Sequence, residues 1–159
     1  MYLTKLDWNI AEISKALKLT EDQVKDYFTD GRRVSFMIER RLVKFVGGTL
    51  SKSEGAGYDL IDSENNKWEV RSLTKDGIYF CPSYMVGSGR KFNEEGFLRK
   101  LREIKGYLIS DITLFPSIPC WSIEHEKIQK LYFDGSLGGT TKITRNSFFK
   151  IINQISEEN

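Results

Sequence analysis

Two acidic side chains and one basic side chain in the middle of the sequence have the types and spacing needed for phosphate chemistry. Asp59 is followed ten residues later by Glu69, and Arg71 stands two residues beyond it. Side chains in a strand alternate between its two faces, so Glu69 and Arg71 share one face. If the turn of a hairpin is centred near Glu64, Asp59 lies opposite Glu69. The spacing therefore predicts two carboxylates and one cation on one face of a sheet.

Two neighbouring carboxylates that repel each other are suited to binding a divalent cation. Mg²⁺ prefers oxygen ligands and usually takes only one or two carboxylates, which leaves room for water and a phosphate. A metal bound in this way polarises a phosphodiester and activates water, while a nearby cation stabilises charge on the phosphoryl oxygens. We therefore expect Asp59 and Glu69 to bind Mg²⁺ and Arg71 to be the third catalytic residue. A hairpin with a surface acid pair bridged by arginine is the alternative.

The sequence around these residues resembles the PD-(D/E)xK nuclease superfamily, and within it the small type II restriction endonucleases. The similarity covers about residues 34–124 and includes the strings Gly-Tyr-Asp-Leu-Ile and Lys-Trp-Glu-Val-Arg-Ser. It implies a Mg²⁺-dependent, site-specific endonuclease that hydrolyses double-stranded DNA, and a restriction enzyme that cuts both strands is expected to be a homodimer. Tyr58 stands where the motif has proline, and Arg71 stands where it has lysine. Arginine stays protonated at any working pH, so Arg71 cannot act as a general base.

Four further residues near the motif are possible members of the site. Glu39 lies in a predicted helix, from which the resemblance implies that an acid approaches the metal; a salt bridge to a nearby arginine is the alternative. Glu54 belongs to the glycine-rich loop before the hairpin and is a possible metal ligand. Lys52 and Lys75 lie in loops from which an ammonium group can reach the site.

A loop after the third predicted strand has the composition of a DNA contact. It contains two glycines, hydroxyl groups and two adjacent cations, and the resemblance implies base contacts at this position. Arginine can pair with guanine O6 and N7, and serine can donate or accept a hydrogen bond. The predicted DNA-binding residues are Ser83, Tyr84, Ser88, Arg90 and Lys91. A solvated loop is the alternative.

The elements that must position these residues follow an α/β order. Apolar periodicity predicts two helices within residues 8–31, with Gly31 as the stop, and a third, largely buried helix over residues 34–46. Strands beyond the hairpin are predicted at residues 78–82, 107–115 and 120–123, with a turn between Pro116 and Pro119. A fourth helix is predicted from Asn93 to about residue 105. This order indicates a mixed central sheet flanked by helices, and it matches the restriction-endonuclease-like core that the resemblance implies.

The predicted fourth helix carries basic and acidic side chains in alternation. Its cations are Arg99, Lys100, Arg102 and Lys105, and its acids are Glu94, Glu95 and Glu103. Oppositely charged side chains three or four residues apart are typical of a solvated helix surface. We therefore expect this mixed face to be exposed to water.

The N-terminal helices have features of a separate segment. Residues 1–31 are predicted to form a helical unit that resembles a helix-turn-helix, and residues 32–159 are predicted to form the nuclease-like domain. A helix-turn-helix inserts its second helix into the major groove. Here that helix is acidic, and DNA phosphates repel acidic side chains. Packing or dimerisation is therefore the alternative to DNA reading.

Composition sets limits on the partners and the compartment. The chain has 159 residues and a net charge of +2, so any positive surface for DNA must be local. Cys81 and Cys120 have no metal-ligand spacing and are expected to be buried thiols in a reducing cytoplasm. Since no apolar run approaches the length of a membrane span, we expect no membrane partner.

Two DNA-directed functions other than a restriction enzyme remain open. The chain resembles a nuclease that has lost the motif lysine, so a catalytically silent DNA-binding module with the same fold is one alternative. A structure-selective DNA resolvase, which shares the fold, is the other. Mg²⁺ dependence separates the enzyme from the silent module, and sequence preference separates the restriction enzyme from the resolvase. The small net charge also leaves open a protein-interaction subunit, against which a steep salt dependence of DNA binding would count.

Overall fold

A computed structural model describes residues 1–53 and 57–157, which form a six-stranded mixed sheet, a two-stranded sheet and six α-helices. The helices are α1 (Ile10–Leu17), α2 (Glu21–Phe28), α3 (Gly31–Val46), α4 (Glu94–Glu103), α5 (His125–Phe133) and α6 (Arg145–Glu157). The strands are β1 (Tyr2–Asp7), β2 (Thr49–Leu50), β3 (Leu60–Ile61), β4 (Lys67–Leu73), β5 (Ile78–Tyr79), β6 (Gly106–Asp111), β7 (Ser117–Glu124) and β8 (Lys142–Ile143). The predicted α/β class with a mixed sheet is confirmed.

The large sheet has the strand order β1-β7-β6-β4-β3-β2. β4 and β6 pair in parallel, and the other neighbours are antiparallel. A parallel pair needs a long crossover connection, and α4 lies within the connection between β4 and β6. β6 is buried along its whole length, as expected for a central strand covered on both faces. The crossover therefore brings α4 over one face of β4.

Apolar side chains fill both faces of the large sheet. On one face, α4, α5 and α6 pack in a cluster that includes Leu73 and Tyr107. On the other face, α2 and α3 pack in a cluster that includes Val70 and Leu108. Because side chains alternate along β4, Glu69 shares the face of Leu73. The acid therefore lies on the side of the sheet that α4 covers.

The N-terminal segment differs from the prediction. β1 is not predicted from the sequence, yet it pairs with β7 at the edge of the large sheet. Gly31 does not end α2, and that prediction is wrong: Gly31 is the first residue of α3, whose N-cap Asp30 accepts a hydrogen bond from the N–H of Arg32. A Cβ atom at Gly31 would lie 3.3 Å from Cβ of Ser72, so glycine allows α3 to approach β4 closely. The boundary predicted between residues 31 and 32 thus falls within α3.

Three other predicted elements are shorter or differently placed. The strand predicted at residues 78–82 is limited to β5, which pairs with β8 in the small sheet instead of joining the large one. β6 ends at Asp111, because that side chain accepts from the N–H of Thr113 and caps a 3-10 turn. Pro119 lies within β7 and not in a turn. In the described residues, no helix has the length and apolar character required to cross a membrane.

Candidate active site

The hairpin of β3 and β4 is fixed by its own turn. Leu60 pairs with Trp68, which is the register expected for a turn centred near Glu64. Asn65 has a left-handed backbone, with φ of 67°, which asparagine tolerates better than most residues. Asp62 accepts hydrogen bonds from the N–H of Glu64 at 2.9 Å and from Nε1 of Trp68 at 2.8 Å. These bonds set the register that brings the residue before β3 alongside the middle of β4.

Asp59 is the residue immediately before β3, and its carboxylate crosses to the neighbouring strand. Its Oδ2 accepts the backbone N–H of Val70 at 2.7 Å. Burial raises the pKa of Asp59 above its ordinary value, and the charge of Glu69 raises it further. The hydrogen bond from Val70 and the charge of Arg71 oppose this shift. Asp59 and Glu69 are therefore close enough to repel each other, as the hairpin register predicted.

Glu69 is buried, with 8% of its surface exposed, and each of its carboxylate oxygens contacts a cation. Nη2 of Arg71 lies 2.7 Å from Oε1, and Nζ of Lys100 lies 2.5 Å from Oε2. Lys100 also donates to the carbonyl oxygen of Gly57, and Arg71 donates to the carbonyl oxygen of Cys81. A buried charge needs such partners, because leaving it unpaired in a low-dielectric environment is strongly unfavourable.

Lys100 is the residue of this cluster that the sequence prediction missed. It was expected on a solvated face of α4, but only 8% of its surface is exposed, so that expectation is wrong for this side chain. The signal lies in its spacing: Lys100 follows the buried Phe97 by three residues and precedes the buried Ile104 by four. Residues at these separations share one helix face. Lys100 therefore belongs to the core-facing stripe of α4.

Two clefts meet at Asp59. The Glu69 cleft, of about 670 Å³, is lined by Asp59, Glu69, Arg71 and Lys100 together with Gly57, Tyr58, Pro82, Ser83, Tyr84, Gly96, Arg99 and Glu103. The Glu39 cleft, of about 390 Å³, is lined by Ser35, Phe36, Glu39, Arg40, Leu50, Ser51, Ser53, Tyr58 and Asp59. Tyr58 and Asp59 line both clefts. Asp59 therefore stands at the junction of two adjoining recesses.

Glu39 lies in α3 and is under the electrostatic influence of the motif acids. Burial raises the pKa of Glu39 to about 7, and the charges of Asp59 and Glu69 contribute to that rise. The charge of Arg40 lowers the pKa in turn. The guanidinium of Arg40, however, stacks on Phe36, with Cζ 3.2 Å from the ring centroid. The structure thus brings Glu39 toward the motif acids, while Arg40 packs mainly on the aromatic ring.

The predicted DNA-contact loop divides into two parts. Ser83 and Tyr84 lie in a 3-10 turn and line the Glu69 cleft. Ser88, Arg90 and Lys91 are exposed and are not among its lining residues. Nη1 of Arg90 donates to the carbonyl oxygens of Ser83 at 2.8 Å and Val86 at 3.2 Å. The Arg90 side chain therefore forms hydrogen bonds to the backbone of its own loop.

Of the remaining predicted residues, the two lysines do not line the Glu69 cleft, and the acid is not among the described residues. Lys75 lines a separate groove together with Asp26 and Asp30. Lys52 is exposed, between Ser51 and Ser53 of the Glu39 cleft. Glu54 is outside the residues that the structure describes. Neither Lys52 nor Lys75 lines the Glu69 cleft, where Lys100 supplies the ammonium group.

A hard divalent cation fits the acids at the junction of the clefts. In residues 1–53 and 57–157, no group of three His, Cys, Asp or Glu side chains is arranged to hold a metal ion by itself. Burial is the main cause of the raised pKa values of Asp59 and Glu39, and the charges of neighbouring acids raise them further; a cation would relieve that repulsion. Mg²⁺ needs only one or two carboxylates when water and phosphate complete its ligands. Asp59 would be the common ligand in such a site, with Glu39 or Glu69 as the second acid.

Comparisons of the chain with protein-family models, curated proteins and solved structures find no match.

The buried thiols of Cys81 and Cys120, predicted from the sequence, are confirmed as free and buried. Burial raises the pKa of Cys120 to about 11, which leaves that thiol protonated and unreactive near neutral pH. The acids and cations of the two clefts are the features of the chain that bear on its function.

Proposed function

We propose that the chain is a Mg²⁺-dependent endonuclease that hydrolyses phosphodiester bonds of DNA in the Glu69 cleft. The observation that carries the proposal is the convergence of Asp59 and Glu69 from adjacent strands, with Arg71 and Lys100 on the two oxygens of Glu69. The order α3, hairpin, crossover helix α4 and parallel strand β6 supports a restriction-endonuclease-like fold. Sequence-specific cutting of duplex DNA by a homodimer, as type II restriction enzymes do, is part of the proposal.

Each side chain has a separate part in this chemistry. Mg²⁺ at Asp59, with Glu39 or Glu69 as the second carboxylate, would supply a Lewis acid and a water of lowered pKa. Val70 holds the Asp59 carboxylate in place through its N–H, at 2.7 Å. Glu69 in turn orients Arg71 and Lys100, whose positive charges stabilise the charge that develops on the phosphoryl oxygens. The water loses a proton to solvent or to a phosphate oxygen, and its oxygen bonds to phosphorus. The bond from phosphorus to the leaving sugar oxygen breaks, and that oxygen takes up a proton from solvent.

Lys100 supplies the amine that the resemblance led us to expect at position 71. An ammonium group has three N–H donors, of which Glu69 and Gly57 accept two in the structure. One donor is left for a phosphoryl oxygen or for the attacking water. An arginine at position 71 is then compatible with activity, because the lysine function comes from α4 instead of β4.

The charges that line the two clefts make metal and DNA binding interdependent. The cationic side chains are Arg40, Arg71, Arg99 and Lys100, and the acidic side chains are Glu39, Asp59, Glu69 and Glu103. These charges balance when all are ionised, so the clefts attract a polyanion only weakly. A divalent cation would leave an excess of two positive charges. We therefore expect Mg²⁺ to strengthen DNA binding as well as to permit hydrolysis.

A catalytically silent DNA-binding module is the second candidate, and one observation favours it. Both oxygens of Glu69 already contact cations, so the buried acid is neutralised without a metal. In that case Arg71 and Lys100 would be a structural substitute for the metal. A silent module would bind DNA in a salt-dependent manner and would not respond to Mg²⁺.

Incubation of the purified protein with a large mixed-sequence duplex DNA separates the two candidates. The reactions contain either Mg²⁺ or a chelator and are resolved on a gel. The proposal predicts discrete bands that appear only with Mg²⁺, and sequencing of their ends gives the recognition site. Cleavage without sequence preference would favour a structure-selective resolvase. No cleavage together with a salt-sensitive mobility shift would support the silent module and contradict the enzyme.

A further inference from the structure

An exposed aromatic ring stands in each of the two clefts that meet at Asp59. Phe36 of the Glu39 cleft is 59% exposed, and Tyr84 of the Glu69 cleft is 60% exposed. Single exposed apolar residues are common on protein surfaces. Here, however, both rings line recesses that are otherwise rich in charged and hydroxyl groups, and the recesses share the proposed metal ligand. More than half of the surface of each residue is open to solvent, although the guanidinium of Arg40 covers part of the Phe36 ring.

The backbone and neighbouring side chains hold both rings in defined positions. Phe36 lies on the regular helix α3, and Arg40, one turn later, donates from Nη1 to the carbonyl oxygen of Phe36 at 3.1 Å while stacking on its ring. Tyr84 lies in a 3-10 turn next to the start of α4. A Cβ atom at Gly96 would lie 3.4 Å from Oη of Tyr84 and 2.7 Å from Cε of Met85. Glycine at position 96 therefore allows the 3-10 turn to approach the first turn of α4 closely. Each cleft therefore presents an exposed aromatic ring, one on a helix and one on a 3-10 turn.

We propose that the two clefts bind one unpaired DNA strand, with bases stacked on Phe36 and Tyr84 on either side of the phosphate at Asp59. The inference rests on the proposed Mg²⁺-dependent hydrolysis of DNA but not on duplex cutting of the type II kind. It specifies as substrate DNA whose strand is unpaired at the point of cleavage, so support for it would replace duplex cutting in the proposal. Aromatic side chains stack with any base, and such surfaces alternate with cations in grooves that follow a single strand. Arg40 beside Phe36 and Arg99 in the cleft of Tyr84 are the cations available to the backbone.

A paired duplex does not offer the same contacts. Bases in a duplex are stacked on each other and paired, so their faces are closed to a side chain unless the nucleotide leaves the helix. A mismatch, a gap or a single-stranded segment lowers the free energy needed for that step. The two rings therefore predict a preference for unpaired DNA over a fully paired duplex of the same sequence.

Fluorescence of 2-aminopurine tests the inference by binding alone. A single-stranded oligonucleotide with 2-aminopurine is titrated with the protein in Ca²⁺, used in place of Mg²⁺ to limit cleavage, because stacking on an aromatic ring quenches this base. Phe36→Leu and Tyr84→Leu retain an apolar side chain but lose the ring. We expect the Kd of each variant to rise by about tenfold with loss of quenching, which is the order of one stacked base.

Phe45→Leu is the matched control for these variants. Phe45 is also on α3 and is 50% exposed, but nine residues separate it from Phe36, so it lies on the opposite side of the helix. Its Kd and quenching should equal those of the wild type. Equal binding by wild type, Phe36→Leu and Tyr84→Leu would overturn the inference. Tighter binding of the wild type to the paired duplex than to the single strand would overturn it as well.

Cleavage in Mg²⁺ separates this inference from the nuclease proposal. Three substrates are compared: the paired duplex, the same duplex with two adjacent mismatches, and the single strand. If the wild type cleaves the unpaired substrates faster than the paired duplex, and the Phe36 and Tyr84 variants cleave them more slowly than the wild type, the nuclease proposal and the stacking inference are both supported. Cleavage that neither variant changes keeps the nuclease and contradicts the stacking. Quenching of 2-aminopurine that depends on both rings, without cleavage of any substrate, supports strand binding and contradicts the nuclease proposal.

Discussion

Replacement of Lys100 by methionine tests the feature of the site that was least visible in the sequence. Methionine retains an unbranched side chain of similar length, so the change removes mainly the ammonium group. Lys100 and Glu69 are both buried, and their charged atoms are 2.5 Å apart. Removal of one partner from a buried ion pair costs about 3–5 kcal/mol of folding free energy. Arg71 still contacts the other oxygen of Glu69, so we expect a smaller loss, of about 2–3 kcal/mol.

Urea unfolding followed by tryptophan fluorescence measures this loss. For a domain of this size, a slope of about 2 kcal/mol per molar urea converts the expected loss into a midpoint shift of about 1 M. Lys105→Met is the matched control: Lys105 contacts Glu124 at 3.0 Å, but that pair is exposed to solvent. Water and salt screen such surface pairs, so the midpoint of Lys105→Met should match the wild type. Equal midpoints for both variants would refute the assignment of Lys100 to the Glu69 cluster.

A double-mutant cycle tests whether the loss is due to the ion pair itself. Glu69→Gln removes the buried charge that Lys100 neutralises. In the background of Glu69→Gln, replacement of Lys100 should therefore cost less than it does in the wild type. We expect a coupling free energy of about 1–3 kcal/mol, the range for residues in direct contact. Additive losses would mean that Lys100 stabilises the fold by packing alone.

Three further predictions concern metal, pH and the fold. Mg²⁺ should raise Tm of the wild type but not of Asp59→Asn, which removes the negative charge and retains an acceptor for Val70. Because the pKa of Glu39 is raised to about 7, the folded chain retains a proton that the unfolded chain loses near pH 4.5, so stability falls as pH rises through this window. Glu39→Gln should therefore match the wild type in unfolding free energy near pH 4.5. It should exceed the wild type near pH 8 by on the order of 1 kcal/mol, after discounting for solvent screening of this half-buried group, as measured by urea unfolding at the two pH values. Asp111 is buried and accepts two hydrogen bonds from Arg145, each of 2.7 Å. Asp111→Asn should therefore lower the free energy of unfolding by about 3 kcal/mol, as measured by urea unfolding. The rate of DNA cleavage should not change when the variant is assayed below its unfolding temperature.

The hairpin and the α/β class could be predicted because they depend on local patterns. Alternation of side chains and the Asn65-Asn66 turn set the register that pairs Leu60 with Trp68. The convergence of Asp59 and Glu69 follows directly from that register. α2 begins after Thr20, whose side chain and that of Gln23 form a capping box, a pattern of residues close together in sequence.

The parts that were not predicted depend on contacts distant in sequence. Burial of Lys100 requires the crossover that places α4 over β4, and a mixed run of charges in α4 gives no direct sign of it. β1 is an edge strand in which Leu6 is the buried residue, so its apolar alternation is too weak to indicate a strand. The predicted strand at residues 78–82 ends early because Phe80 and Cys81 bond to Thr141, far along the chain. Local periodicity carries no information on these partners.

Cleavage of DNA by Asp59→Asn and Asp62→Asn is the most direct test of the proposed active site. Both aspartates lie in the same hairpin and both are changed to the same residue, but Asp62 lines neither cleft. An asparagine at position 62 keeps the side-chain oxygen that accepts the backbone N–H groups of Glu64 and Asn66, so the turn is retained. Single-turnover rates are measured in Mg²⁺ with the DNA that the wild type cleaves. We expect loss of cleavage by Asp59→Asn, with rates close to wild type for Asp62→Asn. Cleavage by Asp59→Asn at the wild-type rate would contradict the assignment of this cleft as the active site.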